Sequence, residues 1–377
     1  MDLGIGIVGY GFIGKVHTFA HRALPLLYDP MPARTRLVGV CTASEASGRK
    51  AIEQAGFEVA VRDHRALLER DDIHAIHCCT PNDAHRDLLL DALRAGKHVY
   101  CDKPLTRTVD EAEEVAALAR STCCVHRMTF HYRFVPAILR ARQLVDDDFL
   151  GQVYHFRAAY LHAGYLDPRR PATWRLRYDR SGGGAIMDLG VHAIDLMRFL
   201  LGDFAEVRAE MRTFIEERPD PMTRYPVCVD VDDVALIQAR MACGALGSIE
   251  ASRLATGAQD ELRFDLHGSR GAISFNLMDP NWLTVYDNRD PEAPLGGSRG
   301  QQRLECVARY PKPYAIGATK SSVGWLQFHA HCLYDFVESV AAGELRRPSF
   351  EDGLAAQRVV AACERSSRTG QWEAVSG

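Results

Sequence analysis

The sequence predicts an α/β protein in two parts: a doubly wound parallel sheet over residues 1–128, then a domain over residues 129–377 built on a mostly antiparallel sheet. Three observations carry that expectation. Short apolar runs alternate with longer amphipathic ones up to about residue 128. A GxGxxG pattern stands between the first strand-like run and the first helical one. After Phe130 the texture changes to strand-like stretches broken by hairpin punctuation.

In the first part, IGIVG, LVGVC, AIHCC, HVYC and CCVHRM read as strands, while DAHRDLLLDALRAG and DEAEEVAALAR read as helices. Gly96 fits the position just past a helix end. Regular alternation of strand and helix implies parallel strands with helices on both faces. The second part opens with a helix from Val135 to about Val145, the strand QVYHFRAAYL, an Arg- and Pro-rich loop from Tyr165 to Arg180, and a helix over 188–201. EVRAEMRTFI, VDVDDVALIQARM, ALGSIEASRL, ELRFDLHGS and GAISFNL follow as strands of an antiparallel sheet, with turns at Cys243-Gly244 and Gly268-Ser269. The stretch 288–324 has weak periodicity and reads as loop. Helices over 325–342 and 351–368 close the chain, separated by Pro348 and a capping-type Ser349 with Asp352 three residues on.

Composition narrows the function classes. With 377 residues, 47% hydrophobic, the chain is long enough for two cores. A net charge of -4 argues against a nucleic-acid binder. No apolar run approaches the roughly 20 residues of a membrane span, and MDLGIGIVGYG lacks the basic start of a signal peptide. A cytoplasmic protein is expected. The eleven cysteines are scattered, and Cys78, Cys79, Cys123 and Cys124 fall in apolar runs, so they read as reduced, buried thiols. No cysteine or histidine spacing suggests zinc, and no metal is expected.

Gly9, Gly11 and Gly14 follow a strand of the right length and precede a helical pattern, with Phe12 and Ile13 between them. The first glycine permits the tight turn, the second close approach of a pyrophosphate, the third close helix–strand packing. A dinucleotide-binding Rossmann domain follows from that placement. Selectivity for the ribose 2′-hydroxyl usually requires an acid at the end of the second strand. Here Thr42, Ala43 and Ser44 stand there, and the first acid is Glu45. Thr42 and Ser44 suit a hydroxyl or a phosphate, and Arg49 suits a 2′-phosphate or a solvated helix face, which leaves NAD and NADP both open.

Three further stretches follow the glycine loop in fixed order: CTPNDAH (79–85), CDKPL (101–105) and SGGGAIMDLGVHAID (181–195). Together they resemble the Gfo/Idh/MocA family of glucose–fructose oxidoreductases and inositol dehydrogenases. HYRFVPA (131–137) and PSFEDGLAAQRVVAACERSS (348–367) extend the resemblance over nearly the whole chain. The family's EKP stands here as Asp102-Lys103-Pro104, which keeps the lysine, shortens the acid, and often carries a cis Lys–Pro bond. The resemblance implies an NAD(P)-dependent dehydrogenase that oxidises a secondary ring hydroxyl of a sugar, glycoside or cyclitol to a ketone, or runs the reverse reduction. It further implies a large open sheet in the second domain, used for a homodimer or homotetramer, and C-terminal helices able to pack back on the first domain. A biosynthetic ketoreductase of a nucleotide-linked or amino sugar and a non-catalytic cofactor-binding regulator are the alternatives.

Asp188 and His192 lie one helical turn apart. They suit a metal site, which needs a further ligand such as His162 or His126, a structural pair at a helix start, or an acid–base pair. The resemblance selects the last, with Lys103, Asp188 and His192 converging on the reacting carbon. It also places Thr80, Pro81, Asn82, His85, Asp102 and Arg133 at the cofactor, although Asn82 suits a helix cap and His85 a structural role equally. Gly182, Gly183 and Gly184 would let backbone pass close to nicotinamide and substrate. His162, Trp174 and Arg175 are the substrate-loop candidates; the loop's arginines suit either an anionic group or a solvated surface, and a neutral pyranoside or cyclitol is preferred.

Overall fold

The computed structural model describes residues 1–307, 310–315 and 321–375. They divide into two compact units, one of Met1–Phe134 with Tyr310–Gly317 and Gly324–Gln357, the other of Val135–Arg309 with Ala318–Val323 and Arg358–Gly377.

The first unit alternates β1 (Asp2–Val8), α1 (Phe12–Leu27), β2 (Arg34–Cys41), α2 (Glu45–Ala55), β3 (Val59–Val61), α3 (Arg65–Leu68), β4 (Ala75–Cys78), α4 (His85–Arg94), β5 (His98–Cys101), α5 (Val109–Arg120) and β6 (His126–Met128). Its six strands are all parallel, in the order β3-β2-β1-β4-β5-β6. Because β1 is buried along all but its first residue, it takes the centre. The chain winds outward from it in both directions, which leaves a crevice at the carboxyl ends of β1 and β4. Local chemistry sets the helix starts. Ser44 caps α2 by accepting from the Ser47 amide at 3.2 Å, and Thr108 and Glu111 close a reciprocal capping box on α5. The edge strand β3, three residues long, gave no sequence signal. Cys123 is exposed and precedes β6, against the expectation of a buried strand residue; Cys78 and Cys124 are buried, and all eleven cysteines are free.

In the second unit, α6 (Pro136–Asp146), β7 (Val153–Leu161), α7 (Tyr178–Ser181) and α8 (Val191–Leu201) precede the strands β8 (Phe204–Arg212), β9 (Glu217–Pro219), β10 (Pro226–Cys228), β11 (Val234–Met241), β12 (Leu246–Ser252), β13 (Glu261–Gly268), β14 (Gly271–Asn276), β15 (Trp282–Asp287) and β16 (Gln302–Glu305). With β17 (Glu373–Ala374) they form a nine-stranded sheet, β16-β15-β14-β13-β7-β12-β11-β8-β17, while β9 and β10 make a separate ribbon. Every pairing in the large sheet is antiparallel except β7 with β12. Burial alternates strictly along β11, so one face is core and the other open. α8 packs on the core face at β7. β16 corrects the expectation of loop throughout 288–324: it gains its ladder only by pairing with β15, Trp282 opposite Glu305. Residues 308–309 and 316–320 of that stretch lie outside the described residues.

The last two helices are α9 (Trp325–Ala342), which packs on α1 within the first unit, and α10 (Phe350–Thr369). No helix among the described residues is long and apolar enough to cross a membrane.

Candidate active site

The glycine loop of the first unit has the shape of a pyrophosphate cradle. Gly9 sits at φ +92, and a Cβ there would stand 2.4 Å from the Cys79 carbonyl oxygen. A Cβ on Gly14 would meet the Gly9 oxygen at 2.1 Å, so helix α1 and the turn touch through backbone alone. At Gly11 a Cβ meets nothing within 4 Å. Open space therefore lies at the one glycine whose expected role is to face a ligand. No side chain caps α1 at Gly11, which leaves its first amides available to an anion. These residues fit a dinucleotide.

Around the cradle, Phe12 is exposed and stacks on Trp325 at 5.5 Å, and Ile13 is half-buried. The Thr42 hydroxyl donates to the Ser44 carbonyl at 2.8 Å, while the Ser44 side chain caps α2. Arg49 is exposed and paired with Glu45 at 3.8 Å. Thr80 and Pro81 are half-buried. Asn82 is buried and opens a 3-10 turn ahead of α4 rather than capping that helix, whose N-cap is Ala84.

Lys103 is half-exposed directly beyond β5, with a cis bond to Pro104. The neighbouring Asp102 amide donates to the Cys78 carbonyl at 3.0 Å, which ties the loop to the end of β4. His85 turns inward, 1% exposed, and both ring nitrogens lie against backbone carbonyls. Arg133 is buried and bound to Asp352 at 3.0 Å. Burial opposes the Asp352 charge, but the Arg133 guanidinium holds its carboxyl below the usual range.

In the second unit, Asp188 belongs to a single π-helical turn, Ile186–Gly190, that runs into α8. A π turn is rare and marks functional sites more often than ordinary helix does. The Asp188 carboxylate, 21% exposed, pairs with Arg253 at 3.1 Å, whose side chain is 1% exposed. Arg253 also donates to the Arg175 carbonyl at 3.3 Å and lies over the Tyr165 ring. His192 is 4% exposed, its ring 5.8 Å from that of Tyr160, whose hydroxyl donates to Asp260 at 2.7 Å. Burial pulls the His162 imidazole below its ordinary value, with nearby Asp188 acting in the opposite sense.

The glycine run has a cause inside this unit. Gly182 adopts φ +73 at the end of α7. A Cβ on Gly184 would stand 1.8 Å from the Asp232 carbonyl oxygen. Asp232 in turn accepts from the Gly184 and Ile186 amides at 2.7 and 2.8 Å. The close approach that Gly184 permits within this unit is thus to the strand-like segment before β11. Burial raises the Asp232 carboxyl, partly offset by the Ile186 amide and Arg253.

Sequence reasoning missed Arg253 and Asp232. The only trace of Asp232 was an acid pair, Asp232-Asp233, inside an otherwise strand-like run; Arg253 left none. In the substrate loop, Trp174 carries the Arg175 guanidinium over its ring at 4.4 Å. Arg169 is paired with Asp167 at 2.9 Å, Arg177 with Asp179 at 3.4 Å, and Arg170 donates to the Gly164 carbonyl.

Comparison with known proteins agrees with this geometry. Residues 3–130 match the model of an oxidoreductase family with an NAD-binding Rossmann fold, and residues 138–274 match the GFO/IDH/MocA C-terminal domain. Levoglucosan dehydrogenase of Pseudarthrobacter phenanthrenivorans is 32% identical over 98% of this chain and 97% of its own. Inositol 2-dehydrogenase of Rhizobium meliloti is 28% identical over 97% of each. Among solved structures, levoglucosan dehydrogenase in complex with NADH and levoglucosan superposes with a TM-score of 0.94 at 32% identity, covering 100% of both chains. An oxidoreductase domain protein from Kribbella flavida gives 0.93 at 38% identity, again over 100% of both. The cradle, the lysine loop and the Asp188–His192 turn therefore belong to a nicotinamide-dependent oxidoreductase, and the chain is a member of the Gfo/Idh/MocA family.

Proposed function

We propose that the protein is an NAD-dependent dehydrogenase that oxidises a secondary ring hydroxyl of a neutral pyranose sugar or cyclitol. The observation that carries this reading is the Asp188–Arg253 pair at 3.1 Å, four residues before buried His192. It supplies a fixed carboxylate acceptor beside an imidazole, a side chain suited to general acid–base chemistry. The chemistry that a bound nicotinamide would supply is acceptance of a hydride from the carbinol carbon. Gly9, Gly11, Gly14 and the start of α1 hold the pyrophosphate, with Thr80, Pro81 and Asn82 beside them. His192 takes the hydroxyl proton as the carbonyl forms. Lys103 supplies a donor able to steady negative charge developing on a substrate oxygen. Asp188, held in place by Arg253, accepts from a neighbouring ring hydroxyl, and Trp174 and His162 contribute to the sugar-binding surface.

Two details favour the finer choices. Arg49 is paired with Glu45, and levoglucosan dehydrogenase, 32% identical, is solved with NADH, so NAD is preferred over NADP. Arg169, Arg170 and Arg177 are each engaged within the loop, which argues for an uncharged substrate. A homo-oligomer through the open sheet face is part of the same reading. That face carries Leu236, half exposed, among Arg157, Arg208, Glu210 and Arg263. So is a cytoplasmic location, where eleven thiols stay reduced.

The test is a panel of neutral sugars, anhydro sugars, cyclitols and sugar acids, assayed for reduction of NAD and of NADP. Neutral substrates with NAD should give turnover. Lys103→Met and His192→Ala should each lower it by about 100-fold or more while cofactor still binds. Near-normal turnover in either variant removes that residue from the mechanism.

A further inference from the structure

One imidazole nitrogen of His85 and the sulfurs of Cys78 and Cys101 lie within 4.8 Å of one another, all buried at the carboxyl ends of β4 and β5. The spacing would suit a soft metal, but the hydrogen bonds exclude the lone pair that a metal needs. His85 Nδ1 faces the Pro104 and Leu105 carbonyls at 3.0 and 3.2 Å, and Nε2 faces the Thr80 carbonyl at 3.0 Å. A carbonyl only accepts. A neutral imidazole has one N–H, so one of these contacts would set lone pair against lone pair; only the doubly protonated ring satisfies both sides.

A cation this deeply buried needs a counter-charge. The titratable groups facing it are Cys78 from β4, and Cys101 and Asp102 from the end of β5. The Cys101 thiol has acceptors in the Asp102 carbonyl at 3.1 Å and in Cys78, and as the donor to either it remains neutral. Cys78 accepts from Cys101 and His85 and lies 3.7 Å from the Thr80 hydroxyl, with no carbonyl against its sulfur among the described residues.

We propose that His85 is a positioning residue, a buried imidazolium paired with the Cys78 thiolate, that ties the loop carrying Lys103 to the loop carrying Asn82. The Pro104 carbonyl it binds belongs to the residue next to Lys103, so the bond fixes the lysine's backbone. Electrostatics agree in direction. Burial opposes both charges, but hydrogen bonding from Cys101 and the His85 charge hold the Cys78 thiol well below its ordinary range. The neighbouring Cys78 and the Thr80 carbonyl push His85 up to about 9.

The claim about positioning rests on Lys103 acting in catalysis; the claim about charge does not. Histidine-selective nitrogen NMR of the whole protein at neutral pH should show His85 with two ring N–H groups. A neutral tautomer overturns the proposal. Ultraviolet thiolate absorbance at neutral pH should disappear in Cys78→Ser and persist in Cys101→Ser; the reverse overturns the assignment of the anion. His85→Gln should lower kcat by about 10- to 100-fold with KM for cofactor changed far less, as expected of a displaced catalytic group, and an unchanged kcat overturns the positioning role. Should Lys103→Met keep normal turnover, the functional reading fails and takes the positioning role with it, while the NMR still decides the charge.

Discussion

Removing the Asp188 carboxylate would take from Arg253, 1% exposed, its direct ion-pair partner and leave only the buried Asp232 carboxyl to compensate it. Stripping one partner from a buried pair typically costs about 3–5 kcal/mol. Asp188→Ala should therefore be visibly destabilised in thermal melts, whereas Asp188→Asn keeps an acceptor for the guanidinium and should melt close to wild type. Turnover of Asp188→Asn should still fall about tenfold or more, because an amide accepts a substrate hydroxyl less strongly than a carboxylate. Equal melting of the alanine variant and wild type would show that the pair does not hold the turn. At this scale the sequence was half legible. Lys103, Asp188 and His192 stand in motifs with fixed neighbours. Arg253 sits in ALGSIEASRL, where one arginine after a strand is unremarkable; its meaning arises from a partner 65 residues away.

Among elements, the turn at 182–190 is the one most constrained by backbone. With only 1.8 Å between a Cβ on Gly184 and the Asp232 oxygen, Gly184→Ala must push the turn off that segment and break two amide bonds to the Asp232 carboxylate. The expected cost is on the order of 2–4 kcal/mol, read as a lower urea midpoint with little change in slope; an unchanged midpoint would sink the close-packing account. Long, strongly patterned elements were legible: α9 and α10 fall within a residue of where their periodicity places them. The short strands β3, β16 and β17 were not, since two to four residues carry no period and acquire a ladder only from a neighbour. The π turn was equally silent, because spacing of four fits an α-helix just as well.

For the whole molecule, buried histidines set the pH dependence. Burial lowers His17, His21 and His331 to about 3 and His126 to about 4, from 6.5. The unfolded chain thus binds protons that the folded one refuses. Their stabilisation is complete above pH 6.5 and is lost as pH falls toward 3, at about 1.4 kcal/mol per histidine per pH unit. His85 works in the opposite direction: raised to about 9, it contributes fully below 6.5 and loses that contribution as pH rises through 9. Melting temperature should fall steeply below pH 6, and a flat profile between pH 6 and 4.5 would contradict the buried neutral cluster. The open sheet face should give a dimer or tetramer in light scattering, and Leu236→Glu with Leu246→Glu should shift it toward monomer; a wild-type monomer would refute the interface.

Alternation of apolar runs, the placement of Gly9, Gly11 and Gly14, and the order of the lysine and histidine motifs determined the two-part α/β architecture and the nicotinamide chemistry, and singled out the candidate catalytic residues. These signals are local: a period, a turn, a motif lies within a few residues of chain. Tertiary structure alone decided the parallel pairing of β7 with β12 inside an otherwise antiparallel sheet, the Arg253 clamp on Asp188, and the carbonyl cage around His85. Each depends on groups brought together from distant parts of the sequence, where hydrogen-bond geometry and burial fix charge and register that no single stretch encodes.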